Sequence, residues 1–310
     1  MGFLRKFFRK YIWLPLFVSY ILKKMPVIRA LGALETVTYL QNNECSCVRF
    51  GDGEFAILTQ KGNPGFQKAS DQLREKMELV LKTQQKNLLV CITGVNNCRN
   101  LAIYNDRAKY HFRNVMEMFH KYFSEILIEN ALYGDCQFTR PYMDTLNRDY
   151  SKKVFQGIKE LIKGKKLIII EGDKTRMGVG NDLLQGAESI KRVLAPSVNA
   201  FDKYDQILQK SLEIASVEKS FFKDSRGGGV WFLLALGPTA KPLVLDLTNA
   251  GYRAIDIGHL DIEYEWYLRG AKKKVPIPGK YVNEAKDGKE WSENPEFDFD
   301  KYNSEVVARI

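Results

Sequence analysis

Cys47-Val48-Arg49-Phe50-Gly51-Asp52-Gly53-Glu54 runs from a short apolar stretch into a turn carrying two carboxylates two residues apart, each preceded by glycine. If the strand ends near Phe50, Asp52 and Glu54 stand on the loop just after it. The glycines let the chain turn there and a ligand come close. Two such carboxylates can face one side of an extended loop and hold Mg2+ or Mn2+, directly or through water. Asp and Gly also dominate ordinary solvated turns, so the stretch alone leaves both readings open.

The surrounding chain supplies the context. Further short apolar runs lie at 88–93, 166–171, 190–195, 230–236 and 253–257. Amphipathic stretches at 71–83, 99–123, 143–162, 181–186 and 238–250 separate them. This alternation predicts an α/β protein: βα units forming a mostly parallel sheet with helices on both faces. Gly237-Pro238 starts the helix at 238–250, and Gly251 stands where that helix should end. The segments divide the chain into 1–30, a central domain over 31–270, and a polar C-terminal appendage over 271–310 expected on the surface or partly disordered.

At 310 residues the chain can bury a full core, and 45% hydrophobic with 27% charged residues is ordinary for a globular protein. The net charge of +10 points to an anionic partner. Residues 1–30 hold seven basic side chains and no acid, leaving about +3 for the rest. Aromatic and apolar residues interleave with them, yet the uncharged run from Tyr11 to Leu22 is only 12 residues and contains Pro15. That is too short to span a bilayer, which takes roughly 20 apolar residues. The segment reads as one that lies on an anionic membrane surface, or as a helix packed on the body or on a second subunit of a homo-oligomer. Nucleic-acid binding is not expected, because the positive charge sits in an apolar segment and the body has no stacking motif. Five cysteines without metal-finger spacing fit reduced thiols in a cytoplasmic protein, held at the inner face of the membrane.

Ligands of open α/β sheets collect outside the carboxyl ends of the strands. Three more groups share that location. Glu171-Gly172-Asp173-Lys174-Thr175-Arg176-Met177-Gly178-Val179-Gly180-Asn181-Asp182 follows the run KKLIII. Its glycines can expose N–H groups to phosphate beside Lys174 and Arg176. It lacks the third glycine of a dinucleotide fingerprint, and a plain connecting loop is the other reading. Gly237 and Thr239 at a helix start suit a diphosphate or ribose, or simply start a helix. In Asp256-Ile257-Gly258-His259-Leu260-Asp261-Ile262-Glu263-Tyr264-Glu265-Trp266, Asp261 and Glu265 share a helix face while Glu263 points elsewhere. Acids in a first helical turn also answer the helix dipole. His259 is a candidate ligand contact or a structural residue. Arg140, in Thr139-Arg140-Pro141-Tyr142, is a candidate phosphate fork or a surface ion pair.

In order, RFGDGE, TRPY, GDKTRMGVGNDL, LGPTA and GYRAIDIGHLDIEYEW resemble the GT-D-type bacterial glycosyltransferases over roughly residues 40–270. The resemblance implies a Rossmann-like core and a D-x-E motif in which Asp52 and Glu54 serve Mn2+ (or Mg2+) bound with the diphosphate of a UDP-sugar. Beside it, the strand-end loops themselves lead us to expect a donor site around Arg49, Gly51, Lys174, Arg176, Gly178, Gly180, Asn181, Gly237 and Thr239. The resemblance also implies a catalytic acid–base residue, Glu263 or Glu265. The expected activity is hexosyl transfer to a hydroxyl of a surface glycan or of a lipid- or protein-linked precursor. The alternative is a non-catalytic nucleotide- or sugar-phosphate-binding protein.

Overall fold

The computed structural model describes residues 2–62, 65–221, 229–288, 294 and 297–310. Among the described residues nine strands form one sheet: β1 (Arg29–Ala30), β2 (Ser46–Phe50), β3 (Leu88–Ile92), β4 (Leu132–Asp135), β5 (Lys166–Gly172), β6 (Ser189–Ala195), β7 (Val230–Ala235), β8 (Arg253–Asp256) and β9 (Val306–Arg309). Their spatial order is β1-β4-β3-β2-β8-β7-β5-β6-β9, and every neighbouring pair is parallel. The expected α/β architecture is present, and all six runs singled out in the sequence are strands.

These strands read as continuous apolar runs because both faces of the sheet are covered. Alternate residues feed two cores. Val48, Phe50, Val90, Ile92, Ile168, Ile170, Phe232 and Leu234 point into one. Cys47, Leu89, Cys91, Leu167, Ile169, Trp231, Leu233 and Ile255 point into the other. Helices Asp71–Lys82, Asp106–Ile126 and Ala240–Asn249 close the first face. Helices Ala33–Asn42, Arg148–Ile162 and Leu260–Leu268 close the second.

Three strands escaped the sequence reading. β1 has two residues, too few for a pattern. β4 reads LYGD, and its glycine is required by crowding: a Cβ at Gly134 would stand 2.4 Å from the Cys91 sulfur. β9 lies in the segment expected as a surface appendage. Instead it pairs with β6 and forms the sheet's edge, while Ile277, Val282, Phe297 and Tyr302 from the same segment are buried. Two helices also differ. The stretch expected as one helix over 99–123 is split into Val95–Arg99 and Asp106–Ile126. Residues 181–186 form turns rather than a helix, so the glycine-rich loop opens into no helix N-terminus.

The tail is fastened by a buried ion-pair triad. Arg192 of β6 donates from Nη1 to Glu171 at 2.6 Å and from Nε to Glu305 at 2.7 Å. Glu171 also accepts from the Met177 N–H at 2.7 Å. Replacing one partner strands a buried charge, which costs far more than the intact triad contributes. Arg192→Leu is therefore expected to lower the unfolding free energy by roughly 3–5 kcal/mol in urea titrations. A change within about 0.5 kcal/mol, the size of an ordinary surface substitution, would contradict this account of the tail.

Candidate active site

The carboxyl ends of the central strands open into a cleft of about 310 Å³. Arg49, Gly51, Asp52 and Glu54 enter it from the end of β2, Gly237 and Lys241 from beyond β7, and Asp256 and His259 from the end of β8. This is where an open parallel sheet binds ligands, and it lies where two runs of strands, β1-β4-β3-β2 and β8-β7-β5-β6-β9, meet.

The floor of the cleft is a charged cluster. Lys241, on the first turn of helix Ala240–Asn249, places Nζ 2.8 Å from Glu54 Oε1 and 3.0 Å from Asp256 Oδ2. Burial works against the ammonium, but Asp256 and Glu54 outweigh it and hold its pKa above the usual lysine value. The reciprocal effect holds Glu54 below the carboxylate range, against burial, through Lys241 and the Gly51 N–H. Arg49 donates from Nε to the Cys136 carbonyl at 3.1 Å, and its Nη1 stands 3.6 Å from Asp256 Oδ1. Gly258 allows this packing. It has φ +47°, and a Cβ there would lie 2.0 Å from Arg49 Nη1.

Asp52 and Glu54 are not on an extended loop. They begin helix Asp52–Leu58, where Glu54 Oε2 folds back to accept from the Gly51 N–H at 2.9 Å. An acid three residues past the cap satisfies an otherwise orphaned N–H, which is why GDGE starts a helix here. The two carboxylates consequently differ. Glu54 is enclosed, while the Asp52 side chain is 60% exposed, with His111 Nε2 3.9 Å away.

A hard divalent cation takes oxygen ligands and commonly shares itself between one or two carboxylates and substrate phosphates. The residues present fit such a shared site. Asp52 offers an accessible carboxylate on the cleft, and the buried Asp256 Oδ1 has no hydrogen-bond partner. Among the described residues no cluster of three or more His, Cys, Asp or Glu is assembled to hold a metal alone. Glu54 contributes only through an oxygen now engaged by Lys241.

Other residues singled out in the sequence do not line the cleft. Arg176 donates to the Gly279 carbonyl at 3.1 Å and stacks on Phe299, binding the tail. Lys174 is exposed, and its carbonyl accepts from the Tyr281 N–H. The Gly178 N–H and the Asn181 amide donate to Asp261 at 2.9 and 2.8 Å, and Gly180 lies against Phe297. The glycine-rich loop thus cradles the protein's own carboxylate rather than an open anion site. Thr239 is buried and donates to Gln67.

The three acids of helix Leu260–Leu268 separate by environment. Asp261 lines the cleft but is held by Lys280 at 2.7 Å. Glu265 is fixed by Lys280 at 3.0 Å and Asn181 at 2.7 Å, and these partners keep its pKa low against burial. Glu263 accepts from the Tyr142 and Met143 N–H groups at 3.1 and 3.0 Å, while Oε1 is buried without a partner. Burial pushes its pKa up to about 7. Neither Glu263 nor Glu265 lines the cleft, whereas Arg140, whose charge acts on Glu263, does.

Sequence reasoning passed over Lys241, Gln137 and Glu284. Lys241 had a signal: it is the only charge in the seven residues between Gly237 and Leu245, just after the singled-out LGPTA. Gln137 lines the cleft with a buried, unpaired Oε1. Glu284 lies in the tail, where it pairs with Arg140 and Lys274 and stands 3.1 Å from His259 Nδ1. Burial lowers the His259 pKa to about 3, so the imidazole is neutral at physiological pH.

A family model described as Glycosyltransferase GT-D fold matches residues 47–285. The chain is 33% identical over 296 residues to glycosyltransferase GlyD of Streptococcus pneumoniae serotype 4, and 35% over 285 residues to the probable glycosyl transferase Gly of Streptococcus gordonii. Those alignments take in 93% and 91% of this chain but 33% and 39% of the relatives, so the chain spans little more than a third of their length. It is also similar, at 36% identity and a TM-score of 0.82, to a solved structure described as a highly conserved domain of unknown function 1792 with a distinct glycosyltransferase fold, covering 94% of this chain and 99% of that one. A glycosyltransferase of the same domain class from Streptococcus sanguinis matches at 34% identity and a TM-score of 0.78, over 91% of this chain and 99% of that one. The chain belongs to the family of glycosyltransferases with the GT-D fold.

Proposed function

We propose that the protein moves a hexose from a UDP-sugar to a hydroxyl of a surface-glycan or glycoconjugate precursor, with a divalent metal as partner. The observation that carries this reading is the cleft floor. Two buried cations, Arg49 and Lys241, are fixed by Glu54 and Asp256 at the carboxyl ends of β2 and β8, and the accessible Asp52 lines the same cleft.

Sugar transfer needs a place where charge building on the departing diphosphate is stabilised by groups already in position. Arg49 and Lys241 are such groups, because their partners and their burial leave them little freedom to reorient. Asp52, together with Asp256 where the cleft brings the two to one ion, would hold Mn2+ or Mg2+. When bound, that cation supplies further charge neutralisation at the leaving oxygen. Gly51 and Gly237 leave room for phosphate oxygens to approach the backbone. Of the two acids implied as acid–base residues, Glu263 suits the role better. Neither acid lines the cleft, so either would have to be reached from it by the acceptor or a relay. Glu263, with a raised pKa and an unpaired Oε1, is free to take a proton near neutrality, whereas Glu265 is locked as an ion.

Asp52→Ala is expected to cut Mn2+-dependent turnover of UDP-sugars by at least about 100-fold, with the melting temperature unchanged because the side chain is exposed. Glu54→Ala should lose activity and also melt lower, since Lys241 keeps only one carboxylate. UDP binding and turnover that ignore Mn2+ in the parent and are unchanged in Asp52→Ala would refute the metal assignment. UDP binding without turnover of any UDP-sugar would favour the non-catalytic alternative.

The Glu263 assignment has a pH signature in rate and in stability. The base form appears as pH rises through about 7, so turnover should climb over that range, and Glu263→Gln should abolish it. The folded state holds this proton more tightly than the unfolded chain, so Glu263 contributes stability at low pH. That contribution should be lost between the ordinary glutamate value of 4.5 and about 7, with a slope of at most about 1.4 kcal/mol per unit. The slope should fall by that amount in Glu263→Gln, leaving the share of other buried acids such as Asp135, whose pKa burial pushes up to about 6. A glutamine variant that keeps full turnover and the parent's pH–rate profile would remove Glu263 from the reaction.

A further inference from the structure

The N-terminal segment forms three continuous helical pieces: Gly2–Phe8, a wider π-helical turn at Arg9–Trp13, and Leu14–Leu22. One side of it belongs to the body. Leu14 and Val18 are buried in the core, and Phe17, Ile21 and Leu22 pack against it. Arg9 reaches helix Asp106–Ile126, where it donates to Tyr110, to Asn114 at 2.9 Å and to Glu117.

Among the described residues the opposite side has no such partner. Leu4, Phe8, Ile12, Leu16 and Tyr20 follow one another at four-residue steps and are 73, 53, 44, 67 and 54% exposed. Phe7, Tyr11 and Trp13 flank this stripe and are also exposed. Four-residue steps keep side chains on one helical face, so they make a continuous apolar strip rather than scattered exposed residues. Arg5, Lys6, Lys10, Lys23 and Lys24 border it. None of these five makes an ion pair among the described residues, and residues 1–30 contain no acid. No helix among the described residues is long and apolar enough to cross a membrane.

We propose that this face docks the protein on an anionic lipid bilayer, lying in the interface with the apolar strip among the acyl chains and the basic residues at the headgroups. The charge argues for lipid over a second copy of the chain. Self-association through this face would bring two acid-free basic surfaces together, whereas an anionic bilayer neutralises them. Docking also orients the cleft. The helix that Arg9 grips through Tyr110 carries His111, the next residue, beside Asp52. One helix therefore links the membrane face to the cleft, an arrangement suited to an acceptor carried on a lipid. That last point rests on the transfer reading. The docking does not.

The test uses the full chain, because removing the segment would also take Leu14 and Val18 out of the core. The parent and a Leu4→Gln, Phe8→Gln, Leu16→Gln variant are sedimented with vesicles of phosphatidylcholine, with or without phosphatidylglycerol. Light scattering reports oligomeric state, and UDP binding reports an intact cleft. The parent should sediment only with vesicles containing phosphatidylglycerol and come off as salt is raised. The variant should bind at least about tenfold more weakly, with unchanged melting and UDP binding. A parent that stays in the supernatant with anionic vesicles overturns the proposal. So does a parent dimer that the substitutions dissociate without changing vesicle binding. A parent that sediments with anionic vesicles but does not bind UDP would count against the transfer reading alone.

Discussion

The Lys241 ammonium is the constraint on which the rest of this molecule turns. It lies buried between Glu54 and Asp256, two carboxylates from different elements, at the join between two runs of strands. That join is thin: β2 and β8 share one registered pair, Cys47 with Ile255. Side chains lock it at both ends. At the carboxyl end Lys241 and Arg49 bridge β2, β8 and helix Ala240–Asn249. At the amino end Ser46 Oγ accepts from Thr248 at 2.7 Å and from the Ala254 N–H at 3.0 Å. A buried cation with one carboxylate removed is strongly unfavourable, so the elements bearing these charges are held together.

The same constraint shapes the chemistry. Glu54 is drawn off its extended path into a helix start and onto Lys241, which leaves Asp52 as the accessible member of the D-x-E pair. The fixed positive charge at the cleft floor comes from helix Ala240–Asn249 and β2. The glycine-rich loop after β5 is turned inward onto Asp261 and Glu265, the same two acids that a second buried lysine, Lys280, pairs with. Two lysines, each compensated by two carboxylates, thus divide the acids: some brace the fold, and one remains open to a ligand.

Much of the fold was legible because a parallel sheet covered on both faces writes its strands as uninterrupted apolar runs. LLVCI carries that signal over five residues, and KLIIIEG over the four from Leu167 to Ile170. β1 and β4 do not, being short and containing Ala or Gly, and the edge strand β9 alternates in burial and follows a polar stretch. In the site, the strand-end location of RFGDGE was readable from the chain, and so was the order of motifs. Pairing was not. Local composition gives no sign that Arg176 would turn to Phe299, that Gly178 would donate to Asp261, or that a lysine just past LGPTA would reach Glu54. Those contacts join residues 80 to 190 positions apart, or elements met only in three dimensions.

The central claim is that the charged floor formed by Arg49, Lys241, Asp256 and Asp52 is where the donor diphosphate binds. A crystal structure of the full chain with UDP and Mn2+ tests it most directly. The account predicts the diphosphate over Arg49 and Lys241, with Mn2+ coordinated by Asp52 and phosphate oxygens. UDP in the separate hollow at the amino ends of the strands, beside Trp231 and Arg253, or Mn2+ bound away from Asp52, would contradict it.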